Sequence, residues 1–382
     1  MKQYVEATYQ VPWESHLEQR AHAIAVGMTV GSWTDVPALQ QPHLRAFLGE
    51  VSRVEQRDRL GIFSIRYPLD NVRANIGSLL TVIFGKLSLD GSIRLIDLSL
   101  PDVYLSQFPG PYLGLDGLRS RLGIHRRPLI MSIFKSENGR TLQQFRTALK
   151  DQLDGGVDFV KDDEIFIADT DCPLLDRVQV AAEVLAERYH QTGQRGLYFA
   201  NLVGTPQEIF DQALSAQEAG ASGFLLSPYS QGLDVLTDLR RAHLEVPLIA
   251  HPAFSGGQIR DHGFGIDPAI YLGLLPRMVG ADIVLFPSPY GSVALKKQSA
   301  LAISHALTHP SVWPTVVPGP SAGIHVGMLP QLLQDFGVDL VVNAGGAVHG
   351  HPQGTQAGAK ALVEGVKACL MQMHLFPAEA EW

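Results

Sequence analysis

From about residue 128 onward, short apolar runs alternate with longer stretches whose apolar residues recur at helical spacing. The strand-like runs are 128–135, 157–162, 197–203, 223–229, 246–252, 282–288, 315–320 and 339–345. Helical patterns fill the gaps, as over 142–153, 175–189, 206–219 and 233–243, and a last one runs over 356–372. Eight strand–helix repeats over roughly 250 residues have the size and rhythm of a (β/α)8 barrel. A doubly wound parallel sheet shows the same alternation, because periodicity does not reveal closure. The first 120 or so residues break the rhythm: strand patterns at 4–11, 61–67, 80–88 and 92–100 mix with helical ones at 14–26 and 71–78, as in a separate, smaller α+β domain. A Pro/Gly-rich link over 108–123 divides the chain into 1–122 and 123–382.

Composition narrows the function classes. The chain has 382 residues, a formal charge of -8 and a pI near 5.9, so it offers no basic stripe for nucleic acid and no attraction for anionic membranes. A phosphorylated ligand would need a local site. Two cysteines, Cys172 and Cys369, are too few for a disulfide framework and suit a reducing cytoplasm, with one bond left open. The N-terminal residues alternate like a strand without the apolar core of a signal peptide, and no run approaches the ~18 apolar residues of a membrane span. A cytoplasmic protein is expected.

In a barrel, the C-terminal ends of the strands carry the chemistry. Here those ends hold Lys135, then Lys161-Asp162-Asp163-Glu164, Asn201, His251, Ser321-Ala322-Gly323-Ile324-His325 and Asn343-Ala344-Gly345-Gly346. In Gly155 to Glu164, strand alternation lets Lys161, Asp163 and Glu164 converge at the strand's mouth. A lysine ammonium cannot ligate a cation. If CO2 adds to its amine, however, the carbamate is an oxygen donor, and three such oxygen groups with waters suit Mg²⁺. Taken alone, the run also reads as a solvated acidic turn. Glycines after the seventh and eighth strands let backbone N–H groups approach a phosphate. His251 reads either as a satisfied polar residue or as a group that orients or protonates a substrate oxygen. His349 and His351 sit in a Gly/Pro loop that does not preorganise a metal pair.

The run GGVDFVKDDE resembles the carbamylated-lysine motif of the RuBisCO superfamily. The likeness extends to Gly31-Ser32-Trp33-Thr34-Asp35, Phe84-Gly85-Lys86, Lys135, Asn201, His251, Ser321 to His325 and Gly345-Gly346. It implies a RuBisCO-like protein: a (β/α)8 barrel preceded by a ferredoxin-like α+β domain, in a homodimer whose active sites lie at the subunit interface. On this resemblance Lys161 is carbamylated by CO2, Asp163 and Glu164 complete a Mg²⁺ site, and Ser321, Gly323, Gly345 and Gly346 hold phosphate, with Asn201 also binding substrate.

Departures from the carboxylases are informative. The loop after the sixth barrel strand, Phe286 to Val293, lacks the lysine that carboxylases place over CO2; their His-Arg pair becomes His251-Pro252, a nearby histidine becomes Ser255, and their second strand-1 lysine becomes Glu137. A monophosphate with an uncharged tail is favoured over a bisphosphate. His251 to Gly256, Phe286 to Val293, Phe84 to Gly91 and Asn343 to Pro352 are closely similar to the branch of 2,3-diketo-5-methylthiopentyl-1-phosphate enolases of methionine salvage. There the lysine matching Lys86 is the base, delivered in trans, with Lys135 and His251 beside it. Read without the likeness, Lys86 is a solvated strand-end lysine. Two alternatives remain: a RuBisCO-like isomerase of 5-methylthioribulose-1-phosphate or another sugar phosphate, and a non-catalytic sugar-phosphate-binding protein.

Overall fold

The computed structural model describes residues 3–31, 42–167, 169–260, 263–375 and 379–382, so Ser32 to Asp35 of the quoted motif lie outside the described residues. Strands β1 (Tyr4–Pro12), β2 (Glu50–Arg57), β3 (Leu60–Pro68) and β4 (Arg94–Ser99) form an antiparallel sheet in the order β4-β1-β3-β2. With the helix Leu17–Gly27 after β1 and helical turns after β3, this is the βαββαβ ferredoxin-like arrangement. β1 shows why it forms: Val5, Ala7, Tyr9 and Val11 alternate into the core while their neighbours stay partly exposed.

Two expectations in this region fail for physical reasons. Residues 80–88 are helical: the helix Ile76–Leu80 continues through a π turn over Thr81–Gly85 into a 3₁₀ turn over Lys86–Leu89. The buried positions Ile76, Leu79, Ile83 and Leu87 follow a helical period, which the β-branched run Thr81-Val82-Ile83 obscures. Asn75 caps this helix by accepting the Ser78 N–H, so it begins at residue 76 and not at 71. Strand β2 escapes prediction because Glu-Val-Ser-Arg-Val-Glu-Gln-Arg has no apolar alternation; as an edge strand it is defined by pairing with β3, across a turn in which Asp58 takes a left-handed backbone (φ 54°).

Eight further strands build a second sheet: β5 (Leu129–Ile133), β6 (Phe159–Lys161), β7 (Leu197–Asn201), β8 (Phe224–Leu226), β9 (Leu248–Ala250), β11 (Ile283–Pro287), β12 (Val317–Ser321) and β13 (Val341–Ala344). Each falls within, or one residue beyond, an expected run. They pair in parallel in the order β12-β11-β9-β8-β7-β6-β5-β13, and β12 lies against β13, which closes the barrel. The short strand β10 (Gly265–Ile266) instead extends the N-terminal sheet by pairing with β4. Met131, Phe159, Leu197, Phe199, Leu285 and Val317 fill the barrel interior, and Leu115, Leu118 and Leu122 of the helix Gly114–Leu122 plug its N-terminal end.

That end is also pinned electrostatically. Asp282, fully buried, accepts the N–H groups of Leu113 (2.6 Å), Gly114 (2.9 Å) and Leu248 (2.8 Å) and pairs with Arg240. Asp158 and Arg127 make a second buried pair through two 2.7 Å bonds. Replacing Asp282 by alanine leaves three N–H groups without their acceptor and strips the buried Arg240 guanidinium of its counter-charge, leaving it only carbonyl acceptors. Asp282→Ala is therefore expected to lose about 3–5 kcal/mol of stability, read as a lowered denaturation midpoint; a change below about 1 kcal/mol would contradict this role.

Candidate active site

Strand β6 ends with its side chains on alternate sides. Lys161 points into the barrel and is 1 % exposed, its Nζ donating to the Asp162 carbonyl at 3.0 Å. Asp162 points outward, where it accepts the Tyr198 hydroxyl, the Asn201 N–H (2.8 Å) and Arg177 Nε (3.2 Å). The chain then turns back over the mouth. Asp163 Oδ2 accepts from Lys135 Nζ at 2.6 Å, while its N–H donates to Glu137 Oε2 at 2.6 Å. Glu164 Oε2 lies 3.3 Å from His251 Nε2 across the barrel. Lys135, Lys161, Asp163, Glu164 and His251 thus gather at one place. Asn201 joins them differently from expectation: its amide donates to the carbonyls of Glu164 (3.2 Å) and Phe166 (3.3 Å), holding the loop that carries Glu164.

Burial sets the protonation states. It pushes the Lys161 amine below the ordinary lysine value, with Lys135 adding to the effect and Glu164 and Asp163 opposing it. Burial and a hydrogen bond with Glu164 raise Asp163; burial would raise Glu164 too, but its bond with Asp163 and the Lys161 charge hold it below the usual range. His251 is pushed down to about 3 by burial and by Lys161 and Lys135. Glu137, pushed up to about 10 by burial and by the Asp162 charge beside it, has an Oε1 with no hydrogen-bond partner among the described residues. Among the described residues no group of three or more His, Cys, Asp and Glu side chains is arranged to hold a metal ion. Two carboxylates and a buried lysine amine depressed toward its neutral, nucleophilic form do fit a hard cation once that amine carries a carboxyl group.

A second cluster lies at the ends of β12 and β13. Ser321 Oγ donates to the Gly319 carbonyl (2.8 Å) and accepts from Asn343 Nδ2 (2.8 Å), tying the two strands together; Asn343 Oδ1 is buried without a partner among the described residues. Ala322 and Gly323 follow with left-handed backbones (φ 74° and 82°). Gly345 permits close approach, since a Cβ there would stand 3.0 Å from Lys135 Cε and 3.1 Å from Ile133 Cβ, and Gly346 opens the short helix Gly346–His349 with free space around it. The Gly345-Gly346 turn lies beside Lys135, and glycine turns of this kind can offer backbone N–H groups to an anion. His349 is committed elsewhere, with Nε2 2.9 Å from the Ile133 carbonyl and Nδ1 3.2 Å from Thr355 Oγ1.

Lys86 is exposed, and among the described residues it makes no hydrogen bond or ion pair with this cluster of its own chain. Sequence reasoning missed Arg177, and it placed Asp162 and Asn343 at strand ends without the supporting bonds they make. Strand alternation assigns Asp162 to the outer face, but no local signal identifies Arg177, on the helix Leu174–Thr192, as its partner. The mouth loops also store strain: Ser136 (φ 56°), Phe254 (φ 71°) and Ala322 (φ 74°) are left-handed non-glycine residues after β5, β9 and β12. Each such residue costs about 1–3 kcal/mol. With Lys161 unmodified, the His251 ring is expected to stay neutral down to about pH 5, as ¹⁵N shifts of its ring nitrogens would report. Because its folded value is depressed, it removes stability as pH falls below the unfolded value of about 6.5; titration of this ring near 6.5 would contradict the burial argument.

Comparison with known proteins places this geometry. The family model for the ribulose bisphosphate carboxylase large chain, catalytic domain, matches residues 114–301 and 304–381. A 2,3-diketo-5-methylthiopentyl-1-phosphate enolase of Exiguobacterium sibiricum is 47% identical over 368 residues, covering 96% of this chain and 93% of its own. One of Geobacillus kaustophilus is 45% identical over 392 residues, covering 99% and 95%. Among solved structures, a rubisco-like protein (MtnW) of Alicyclobacillus acidocaldarius superposes with a TM-score of 0.89 at 41% identity, covering 98% of this chain and 95% of the other. The octameric ribulose-1,5-bisphosphate carboxylase/oxygenase of Pyrococcus horikoshii also gives 0.89, at 27% identity and 97% and 88% coverage. With a barrel of the same shape, a family model matched over most of its length and 45–47% identity to these enolases over nearly the whole chain, the chain belongs to the RuBisCO large-chain family, among its RuBisCO-like proteins.

Proposed function

We propose that this chain is an isomerase, the enolase that converts 2,3-diketo-5-methylthiopentyl-1-phosphate to 2-hydroxy-3-keto-5-methylthiopentenyl-1-phosphate, and that it does not carboxylate. The observation that carries the reading is the convergence of Lys161, Asp163, Glu164 and His251 opposite the glycine turns, in a chain 47% identical to an enolase of that name. A buried amine, lowered toward neutrality, is the form of lysine that attacks CO2. Carbamylated Lys161, Asp163 and Glu164 would hold Mg²⁺, which when bound supplies Lewis acidity to a carbonyl oxygen.

The remaining work belongs to the chain. N–H groups around Gly323, Gly345 and Gly346, with Ser321, would hold the C1 phosphate, and Lys135 adds charge between phosphate and carboxylates. Anchoring the phosphate fixes C1, from which a lysine amine takes the proton while the C2 oxygen gains one, so the tautomer forms without net change of atoms. Lys86 is the base in this reading. Its exposure and its distance from contact with the cluster of its own chain favour delivery from a partner subunit in a homodimer. An acidic chain with two buried free cysteines suits the cytoplasm.

The test follows the near-ultraviolet enol absorbance with diketone, Mg²⁺ and bicarbonate. Lys86→Ala and Lys161→Ala are each expected to lose at least about 10²-fold in rate. Co-expression of the two inactive variants restores turnover if Lys86 acts in trans, because each mixed dimer then has one complete site. Full activity in either single variant, or silence of the parent protein, would overturn the assignment; failure of the mixed dimer alone would overturn delivery in trans.

A further inference from the structure

After β9 the chain makes a tight turn, Pro252-Ala253-Phe254-Ser255, closed by the Ser255 N–H on the Pro252 carbonyl at 3.1 Å. Ser255 is 2% exposed and its hydroxyl also donates to Pro252, at 2.7 Å, while the Ala253 N–H donates to His251 Nδ1 at 3.2 Å. The turn is thus fixed to the residue whose other ring nitrogen faces Glu164. Its third position has a positive φ, where glycine or asparagine belongs, yet holds phenylalanine at 71°. The ring is 81% exposed, so no packing within the chain offsets that strain.

The chemistry of the rim says what the ring meets. Phosphate is held on the side of β12 and β13, and the carboxylates stand on β6. A ligand anchored at those turns and crossing the carboxylates meets the side of β9, three strands round from β13, where His251 faces Glu164. Residues 252–259 and 287–295 on that side contain no lysine or arginine; Pro252, Ala253, Phe254, Pro287 and Pro289 give it an uncharged surface. Arg260 and Lys296, which flank those two segments, line a cavity with Arg94 and Ser292 to Leu295; beside Phe254 itself a thioether or alkyl end would find an aromatic face.

We propose that Phe254 is a specificity residue whose exposed ring receives the apolar end of the substrate. This rests on the enolase reading for the identity of that end as methylthio, and on the geometry alone for its being apolar. A glycine at 254 would relax the turn; the strained phenylalanine earns its place through the ligand.

Calorimetric titrations with methyl phosphate and n-pentyl phosphate, in Mg²⁺ and bicarbonate, test this without requiring turnover. The parent protein is expected to prefer the pentyl ester by about tenfold or more. Phe254→Gly should lose about fivefold to tenfold of that preference, bind methyl phosphate as the parent does, and melt no lower; Phe254→Leu should keep part of the preference. An undiminished preference in Phe254→Gly, a lower melting temperature, or loss of the oligomer would overturn the inference, the last two by showing that the ring packs against protein. A parent that shows the Phe254-dependent preference but does not turn over the diketone would refute the enolase reading and leave this inference standing. The converse result would refute this inference alone.

Discussion

The structure turns on a lysine amine buried at the inner end of a barrel strand. Lys161 is almost entirely out of water, where an unpaired ammonium costs several kcal/mol. Two solutions exist: surrounding carboxylates that hold the charge, or loss of the charge. Asp163 and Glu164 supply the first in part, and burial drives the second. The tension between them keeps the amine reactive, and every nearby group is placed with respect to it. Lys135 restrains Asp163, His251 faces Glu164, and Asn201 holds the loop between.

Alternation along β6 separates this reactive lysine from the interactions that support it. Outward-facing Asp162 joins Tyr198 of β7, the Asn201 backbone and Arg177 of the following helix in one buried network, so the strand end is clamped from behind. Glu137 fixes the same turn from β5's loop by accepting the Asp163 N–H. At the opposite end of the barrel the buried ion pair Asp158–Arg127 joins the approaches to β6 and β5, and Asp282–Arg240 ties the approach to β11 to the helix Asp234–Arg241, without reaching the mouth. Structural charge lies at the base and behind the sheet, and reactive charge lies inside the mouth.

This division explains what the sequence disclosed. Buried parallel strands are apolar throughout, so all eight barrel strands stood out, and short glycine-rich turns marked the phosphate side. The Lys161 run was legible because alternation puts its chemistry on one face. Edge strand β2 was not, since its charged residues face water and its pairing is set by β3. The segment 80–88 misled because side-chain branching suggested a strand while burial follows a helical period. Arg177 could not be seen at all, and Asn343 stood out only as a strand-end residue: their partners are distant in sequence and meet them only when the barrel closes. Asn201 was found as a site residue, but its bonds to the Glu164 loop emerge only from the fold.

The most direct measurement is the ¹³C spectrum of the protein equilibrated with ¹³C-bicarbonate and Mg²⁺. A buried Lys161 beside two carboxylates, its amine held below the ordinary lysine range by burial, should give one slowly exchanging carbamate carbon per chain, absent from Lys161→Arg. A protein that turns over the diketone with no such resonance would show that the buried lysine serves as an amine, and that its burial has another purpose.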